Sequence, residues 1–489
     1  MAILAGRESK LLIDGELVAG RSGTFQTVNP TTEETLGEAA DASVEDMDAA
    51  IAAARRAFDA TDWSRNLELR VRGIRQLQTA MRDHLEELRE LAIAEVGAPR
   101  MLTSMAQLEA PIEDLSFCVD TAESFQWTTD LGVAAPMGIK THRTIVREAV
   151  GVVGAITPWN FPNQINLAKL GPALAAGNTV VLKPAPDTPW SAAVLGALIV
   201  EATDIPPGVV NIVTSGDHSL GALLSQDPRV DMVSFTGSTA TGRAVMSDCS
   251  ATVKKVFLEL GGKSAFLVLD DADLTGACSI SAFTAAMHAG QGCAITTRLV
   301  VPRARYDEAV EAAAATMAGL KPGDPNDAGT ICGPVISGRQ RDRIQGYLES
   351  AIAEGGRFAC GGGRPTDRDT GFFIEPTVIA GLDNNARAAR EEIFGPVLTV
   401  IGHDGDDDAV RIANDSPYGL SGTVYSADVE RAEGVAARMR VGTVNINGGV
   451  WYSADMPFGG YRQSGIGREM GLAGFEEYLE TKAIATAAN

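Results

Sequence analysis

The sequence predicts an α/β fold with two domains, each formed around a largely parallel β-sheet. The chain has 489 residues, and at roughly 150 residues per domain it holds about three structural units. From about Val150 onward, short β-branched runs alternate with helical stretches, which is typical of parallel sheets covered on both faces. The alternation occurs in two successive series, and each series is long enough for one domain.

The predicted elements follow in order along the chain. Residues 44–96 are expected to be helical, with Ser43 as the amino-terminal cap and Gly97 at the end. The first series has strands at 150–157, 178–185, 209–213, 231–237 and 254–262. The second has strands at 265–269, 298–302, 397–401 and 422–426, with helices over 274–289 and from Tyr306. Gly261 and Gly262 mark a tight connection between the two series.

Composition excludes several functional classes. The formal net charge is -22 and no run of Lys or Arg offsets it, so no nucleic-acid partner is predicted. The chain has a mean hydropathy of +0.03, no long apolar run and a charged opening segment, and we therefore expect a cytoplasmic protein without membrane insertion. Its six cysteines lack CxxC spacing and its five histidines lack an HExxH pattern, so neither a disulfide framework nor a metal site is predicted.

Three polar residues follow predicted strands of the first series. Asn160, in a Pro-Trp-Asn-Phe-Pro turn, could stabilise an oxyanion through its amide or could simply bond the turn backbone. Ser238, in Phe-Thr-Gly-Ser, could face a pyrophosphate or could only cap the next helix. Lys183 could bind ribose hydroxyls, although a lysine at a strand end is usually a solvated charge.

Two further residues could carry covalent chemistry. Glu259 lies within an apolar run, where burial would raise its proton affinity toward that of a useful base, but it could also form an ion pair with Lys263 or another cation. Cys293 lies between small residues that allow a ligand to approach closely, although a free cysteine is more often an inert core residue. Neither residue alone identifies a function.

Taken together, the motifs resemble the aldehyde dehydrogenase superfamily over nearly the whole chain. The segments PWNFP, KPA, FTGS, LELGGK, GQxC, EEIFGPV and FGGxxxSGxGRE occur in the order of that family. Several independent motifs in the correct order are much more specific than any one of them. The resemblance implies oxidation of an aldehyde to a carboxylic acid with NAD, with NADP as a possible alternative.

The resemblance also assigns catalytic roles. Cys293 is the nucleophile, Asn160 and the Cys293 amide hold the oxyanion, and Glu259 activates the water that hydrolyses the thioester. Lys169 and Glu469 form a proton relay by family position. There are three alternatives. Glu259 argues against a coenzyme A-acylating semialdehyde dehydrogenase, and the cofactor motifs argue against a cysteine-dependent esterase. The intact Cys293 and Glu259 argue against a non-catalytic homologue.

Cofactor and substrate residues follow from the same resemblance. The implied cofactor-binding residues are Thr157, Trp159, Lys183, Ala185, Pro186, Phe235, Gly237, Ser238, Glu392 and Phe394, with Glu392 on the nicotinamide ribose, Phe394 beside the nicotinamide and Trp159 toward the adenosine. Pro186 replaces a frequent glutamate that would repel a 2′-phosphate. The implied substrate tunnel comprises Phe161, Ile165, Ala168, Gly292, Ile295, Trp451 and Tyr452. It contains no Arg or Lys, which favours an uncharged aldehyde, and the small Ala168 predicts extra room.

The resemblance implies three structural regions. A Rossmann-like dinucleotide-binding domain comprises 1–130 and 149–260, and an α/β catalytic domain comprises 261–460. A small β-hairpin oligomerisation arm at 131–148 acts with a carboxyl-terminal tail at 461–489. The protein is therefore expected to form a homodimer or homotetramer.

Overall fold

The computed structural model describes residues 6–7 and 9–488, so residues 1–5 and 8 of the predicted first domain and residue 489 of the predicted tail lie outside the described residues. The strands are β1 (Leu11–Ile13), β2 (Glu16–Val18), β3 (Thr24–Val28), β4 (Thr35–Ala40), β5 (Thr128–Ala134), β6 (Thr141–Ala149), β7 (Val152–Ile156), β8 (Thr179–Lys183), β9 (Val210–Ile212), β10 (Met232–Thr236), β11 (Lys255–Glu259), β12 (Ser264–Val268), β13 (Thr296–Pro302), β14 (Arg357–Cys360), β15 (Thr377–Ala380), β16 (Val397–His403), β17 (Ser421–Tyr425), β18 (Thr443–Ile446), β19 (Gly465–Ile466) and β20 (Leu479–Ala487).

Helices fill the connections between these strands. They are α1 (Val44–Ala60), α2 (Leu67–Asp83), α3 (Leu85–Val96), α4 (Arg100–Thr103), α5 (Glu109–Ser124), α6 (Pro162–Ala176), α7 (Pro189–Ala202), α8 (Leu220–Gln226), α9 (Thr239–Cys249), α10 (Leu274–Ala286), α11 (Tyr306–Gly319), α12 (Gly338–Ala353), α13 (Arg387–Arg390), α14 (Asp406–Asn414), α15 (Val429–Ala436) and α16 (Gly471–Glu476). The predicted α/β fold class is confirmed.

The first sheet has eight strands in the order β19-β11-β10-β7-β8-β9-β1-β2. Its five central strands, β11 to β9 in that order, pair in parallel. Side chains alternate between two apolar clusters: Val180 and Leu182 of β8 join one, and Val181 joins the other. Burial on both faces explains why these strands read as continuous apolar runs in the sequence.

The second sheet has seven strands in the order β14-β15-β16-β13-β12-β17-β18. All neighbours pair in parallel except β14 and β15, which are antiparallel. Leu267 of β12 packs into one cluster, while Phe266 and Val268 pack into the other. The chain passes from the first sheet to the second between Glu259 and Ser264.

Strand register brings four chain segments to one edge of the first sheet. Ile156 pairs with Lys183, Phe235 pairs with Ile156, and Thr236 pairs with Glu259. Each of these residues lies at or next to the carboxyl end of its strand, which is where ligands bind in open α/β sheets. The loops that carry the candidate site residues therefore leave the sheet side by side.

A separate three-stranded sheet forms the arm, in the order β20-β6-β5. The hairpin was predicted over 131–148, but pairing of Thr128 with Val146 and of Leu479 with Ala149 extends the arm strands to 128–149. The predicted tail also needs correction, because β19 pairs with β11 and so belongs to the first sheet.

The amino-terminal region differs from its prediction in two ways. The expected helical stretch consists of α1, α2 and α3, and β1 to β4 precede it, since these strands are too short to give a clear alternating pattern. Ser43 caps α1 as expected, in a capping box with Asp46, and Gly97 ends α3 in the left-handed conformation with a φ of 70°. Among the described residues, none of the helices is both long and apolar enough to cross a bilayer.

Candidate active site

A cleft of about 570 Å³ lies at the carboxyl edge of the first sheet and is closed by residues of the second domain. Its walls bring together residues that are far apart in the sequence. They are Pro158, Trp159, Asn160, Ile165, His218, Thr236, Gly237, Ser238, Thr241, Glu259, Leu260, Gly261, Cys293, Arg339, Gln340, Arg343, Glu392 and Phe394. The cleft thus contains the predicted nucleophile, base and oxyanion residue together.

Cys293 lies on a loop whose backbone conformation is tightly constrained. His288, Ala289 and Gly290 have φ values of 52°, 51° and 70°, an unusual run of left-handed residues that costs energy at the first two. A Cβ atom at Gly290 would lie 2.0 Å from the Gly395 carbonyl oxygen. Gly290, three residues before Cys293, is therefore required for the close contact between this loop and residue 395.

Glu259 ends β11 and is buried beside Cys293. Burial, reinforced by the charge of Glu469, raises the pKa of Glu259 well above its ordinary value, and Lys169 and a hydrogen bond from Cys293 oppose the rise. Burial and then the Glu259 charge raise the pKa of the Cys293 thiol. The two groups are consequently arranged as a protonated thiol facing a carboxylate of increased basicity.

The alternative interpretation of Glu259 as an ion-pair partner of Lys263 is wrong. Glu259 Oε1 and Lys263 Nζ are both buried, and neither has a hydrogen-bond partner among the described residues. A buried carboxylate oxygen without a partner is costly, so it marks a place where a water or substrate atom is expected.

Asn160 is held by hydrogen bonds of both its side-chain amide and its backbone carbonyl. Its side-chain Nδ2 donates to the Gln291 carbonyl oxygen at 2.8 Å, on the loop that carries Cys293. Its own carbonyl oxygen accepts from Gln107 Nε2 at 2.7 Å and from His288 Nε2 at 2.9 Å. Because burial lowers the pKa of His288 to about 4, the imidazole is neutral. These contacts leave the second amide hydrogen of Asn160 available for an oxyanion.

Lys169 and Glu469 form a buried ion pair behind Glu259. Lys169 Nζ lies 3.1 Å from Glu469 Oε1 and donates to Ser234 Oγ at 3.1 Å. The ammonium also lies 4.9 Å from the centre of the Phe257 ring. The Ser234 hydroxyl in turn lies 3.1 Å from the Tyr478 hydroxyl. The pair is close enough to act electrostatically on Glu259, as the pKa of that residue shows.

Comparison with known proteins gives the same assignment. The model of the aldehyde dehydrogenase family matches residues 17–484. The chain belongs to the aldehyde dehydrogenase family. It is 41% identical to a 3-succinoylsemialdehyde-pyridine dehydrogenase from a Pseudomonas species, over 96% of this chain and 97% of that relative.

Two solved structures of the family resemble this aldehyde dehydrogenase closely. A variant of aldehyde dehydrogenase C from Pseudomonas syringae, in complex with NAD+ and octanal, has a TM-score of 0.93 and 39% identity, covering 98% of this chain and 97% of that one. Betaine aldehyde dehydrogenase from Staphylococcus aureus, in complex with NAD+, has a TM-score of 0.95 and 37% identity, covering 100% and 96%.

The predicted cofactor residues of this aldehyde dehydrogenase fall into two groups. Trp159, Gly237, Ser238, Glu392 and Phe394 line the cleft. Ser238 also caps α9, since its Oγ accepts from the Thr241 amide at 3.2 Å, which is the structural role considered for it from the sequence. Glu392 accepts from the Gly262 amide at 3.0 Å, which ties the second domain to the connection between the sheets.

The second group is not part of the cleft lining. Thr157, Lys183, Ala185, Pro186 and Phe235 belong to this group. The solvated alternative for Lys183 is wrong, because the side chain is 3% exposed and burial lowers its pKa to about 8. The Thr157 hydroxyl donates to Asn166 at 2.7 Å.

One predicted placement needs correction. The rings of Trp159 and Phe394 are in edge contact, with centroids 5.3 Å apart. The motifs predicted Trp159 toward the adenosine and Phe394 beside the nicotinamide, which are opposite ends of a dinucleotide. The contact between the two rings contradicts that placement. Phe394 has a positive φ of 59°, which directs the chain sharply after Glu392.

Three of the predicted substrate residues line cavities, and these belong to two different cavities. Ile165 lines the main cleft, whereas Ala168 and Tyr452 line a second cavity. Phe161 packs edge-on against His288 at 5.1 Å. A Cβ at Gly292 would lie 2.9 Å from Ile295 and 3.9 Å from Phe161, so these two side chains flank the nucleophile loop. Trp451 stacks on Phe458 at 4.6 Å and meets Tyr452 edge-on at 5.7 Å.

Sequence reasoning missed several residues of the site. Arg339 and Arg343 line the cleft from α12, and their spacing of four residues on one helix face was an available signal. Asp114 lines the second cavity on the same face of α5 as Leu115 and Cys118. Among the described residues, no cluster of three or more His, Cys, Asp or Glu side chains is arranged to hold a metal ion.

Proposed function

We propose that this chain oxidises an aldehyde to a carboxylic acid with NAD as the hydride acceptor, through a thioester on Cys293. The observation that carries the proposal is the contact between Cys293 and the buried carboxylate of Glu259 inside one cleft with Asn160; Oε1 of this carboxylate has no hydrogen-bond partner among the described residues. Membership of the family and the NAD+ complexes of two similar enzymes support the choice of cofactor.

The residues of the cleft fit a dinucleotide. Gly237 and Ser238 begin α9, whose amino terminus suits a pyrophosphate. A Cβ at Gly237 would lie 2.6 Å from the Phe235 ring, so a side chain there would disturb this turn. Glu392 and Phe394 contribute from the opposite wall. Bound NAD+ supplies the hydride acceptor and a positive charge on its nicotinamide ring.

The chain's own residues account for the other steps. Glu259 takes the proton of the Cys293 thiol, and the thiolate attacks the aldehyde carbon to form a carbon–sulfur bond. The negative oxygen is held by the Asn160 amide and the Cys293 backbone amide. After loss of hydride the thioester remains. Glu259 then releases the thiol proton to solvent, which restores its carboxylate, and removes a proton from the attacking water; this second proton returns to the Cys293 sulfur when the thioester is cleaved. The carbon–sulfur bond then breaks, carboxylic acid leaves and Cys293 is restored as a thiol.

The first test follows absorbance of the reduced cofactor with a panel of aldehydes, NAD or NADP, and coenzyme A present or absent. We expect reduction with NAD in the absence of coenzyme A and loss of activity in Cys293→Ala. The control is Cys360→Ala, which removes a half-buried thiol outside the cleft. Reduction only with coenzyme A would indicate the acylating reaction instead. Absence of reduction with folded protein across the panel would contradict the proposal.

Glu259→Gln tests the base. Turnover is expected to fall by about a hundredfold or more, because general base catalysis contributes roughly 10²- to 10⁴-fold. The variant should also lose the acidic limb of the pH–rate profile, since that limb reports ionisation of Glu259. A variant that keeps both turnover and the limb would remove Glu259 from the mechanism.

A homo-oligomer built through the arm is part of this proposal. Five apolar side chains of the arm are exposed in a single copy of the chain: Leu131, Val133, Met137, Ile139 and Ile484. Exposed apolar surface of this kind marks an interaction site, and a second copy is the partner expected in a homodimer or homotetramer. A cytoplasmic location suits the six cysteines, which are all free thiols.

A further inference from the structure

A buried histidine lies on the loop between the end of α10 and the nucleophile. The side chain of His288 is 0% exposed. Its Nδ1 has no hydrogen-bond partner among the described residues, whereas its Nε2 lies 2.9 Å from the Asn160 carbonyl oxygen. Because a carbonyl oxygen only accepts, the ring proton belongs on Nε2. The donor of this buried ring is therefore directed at the peptide of the oxyanion residue.

A second buried donor converges on the same oxygen. Gln107, in the segment between α4 and α5, donates from Nε2 to the Asn160 carbonyl at 2.7 Å. Gln107 Nε2 and His288 Nε2 are 3.2 Å apart, as expected for two donors that share one acceptor. A carbonyl oxygen has two lone pairs, so both are occupied only when both donors are present.

The backbone of His288 is also held on both sides. Its amide donates to the Ile331 carbonyl oxygen at 3.0 Å, and its carbonyl oxygen accepts from the Gln291 amide at 3.1 Å and from Gln291 Nε2 at 3.2 Å. The Gln291 carbonyl in turn accepts from Asn160 Nδ2 at 2.8 Å. His288 is thus linked to Asn160 directly through its ring and indirectly through Gln291.

The conformation and charge of His288 narrow its role. Its φ of 52° is left-handed, and a side chain in this region is retained where the surrounding structure fixes it. Burial lowers the pKa of His288 to about 4, so the ring is neutral at neutral pH. The contribution of this side chain to the site is therefore a matter of hydrogen-bond geometry and not of charge.

We propose that His288 is a positioning residue, which holds the Asn160 amide at the place where the negative oxygen of the aldehyde adduct forms. This inference rests on the proposed function and adds a residue that acts through Asn160 without touching the substrate. An oxyanion donor contributes most when it is already aligned with the charge that develops in the transition state. Without His288, Gln107 occupies one lone pair of the Asn160 carbonyl, and the peptide is free to tilt around that single bond.

Two substitutions separate this hydrogen bond from the loop conformation. In His288→Gln the side-chain Nε2 takes the place of the imidazole Nε2 and keeps an N–H donor. In His288→Asn the shorter amide falls short of the Asn160 carbonyl, although asparagine adopts the left-handed conformation more readily than glutamine. The control is His403→Asn, because His403 is 2% exposed and its Nε2 lies 2.9 Å from the Val268 carbonyl oxygen, outside the cleft.

His288→Asn is expected to lower kcat and kcat/KM for aldehyde oxidation together by about tenfold or more, because a small displacement of a catalytic group can cost about a hundredfold. The dissociation constant of NAD should not change. His288→Gln should recover most of the lost activity, and His403→Asn should match the wild type. Thermal unfolding midpoints verify that each variant is folded. A His288→Asn variant more active than His288→Gln would show that His288 serves only the loop conformation and would overturn the inference.

A double-mutant cycle identifies the residue through which His288 acts. Asn160→Ala removes the oxyanion amide, so adding His288→Asn to it should lower kcat/KM much less than in the wild-type background. An equal loss in both backgrounds would place the effect elsewhere and overturn the inference. The wild type separates the two proposals: if it reduces no NAD with any aldehyde, the proposed function fails and the inference fails with it. Wild-type activity that His288→Asn retains in full removes only the role of His288.

Discussion

The basicity of Glu259 depends on two charges that lie behind it. Glu469 raises the pKa of Glu259 and Lys169 lowers it, with the Glu469 effect the larger of the two. The ion pair between them is 0% and 4% exposed, so solvent screens these charges weakly. The pair that the sequence predicts as a proton relay therefore influences the pKa of Glu259, and with it the pH at which this carboxyl ionises.

Glu469→Gln should shift the acidic limb of the pH–rate profile to lower pH. Removing the Glu469 charge lowers the pKa of Glu259, and a base with a lower pKa ionises at lower pH. Hydrolysis of the thioester after the first turnover is the step to measure. Glu430→Gln, on the exposed face of α15, serves as control, and an upward shift in Glu469→Gln would contradict the account.

Ala168→Trp should exclude long aldehydes. The large ring fills the cavity that Ala168 borders, so kcat/KM for long-chain aldehydes is expected to fall about tenfold or more while that for propanal is kept. Ala168→Ser leaves the cavity open and should behave like the wild type. If wild-type activity were restricted to two- and three-carbon aldehydes, the predicted extra room would have no role.

Among the elements, α7 depends on a residue that is distant in sequence. Thr188, at its amino-terminal cap position, makes no side-chain cap bond. The Glu95 carboxylate of α3 instead accepts from the Trp190 amide at 2.6 Å, the Ser191 amide at 3.0 Å and the Ser191 hydroxyl at 2.6 Å. Glu95 is fully buried, and it satisfies first-turn amides that would otherwise lack partners.

Glu95→Gln should destabilise the protein by about 1–3 kcal/mol, because an amide NH2 would replace one of the acceptor oxygens. Burial raises the pKa of Glu95 to about 7 from an ordinary 4.5. Because the pKa of Glu95 is higher in the folded than in the unfolded state, the carboxyl stabilises the folded protein fully below its ordinary pKa of 4.5. This contribution is lost as the pH rises from there to about 7.

Thermal unfolding midpoints across this pH range check the Glu95 prediction. The difference in unfolding midpoint between the wild type and Glu95→Gln should become smaller with increasing pH. The control is Glu68→Gln, since Glu68 is exposed on α2. A gap that widens over the same range would show that the ionised carboxylate is the stabilising form.

The elements and site residues differ in how far sequence could predict them. Continuous apolar runs located the central strands, because burial on both faces leaves a pattern within each strand. Motif order identified Cys293 and Glu259. In contrast, Gln107 and His288 join the site through contacts that only folding creates; Gln107 is 53 residues from its partner Asn160. No local pattern indicates such contacts.

At the scale of the whole molecule, the arm contributes surface without a core of its own. All nine residues of β6 are half-buried, and eight of the nine residues of β20 are exposed. A two-faced, three-stranded sheet of this kind is stable only when other structure covers part of it. A second copy of the chain supplies that cover in the proposed homo-oligomer.

Ending the chain after Leu479 should convert the assembly into a smaller species. The truncation removes the partner of β6 and the exposed Ile484. Light scattering is expected to report a lower assembled mass for this variant, whereas a chain ended after Ala487 keeps β20 and should match the wild type. An unchanged mass after the shorter truncation would place the interface elsewhere.

The pairing of β20 with β6 also determines the order of events during synthesis. Arg147 of β6 and Thr481 of β20 are hydrogen-bonded partners separated by 334 positions, and Glu469 reaches Lys169 across 300 positions. A ribosome must therefore translate almost the entire chain before either contact can form. Both the pairing of β20 with β6 and the ion pair behind Glu259 therefore form late in translation, and a polypeptide that ends before residue 469 lacks both contacts.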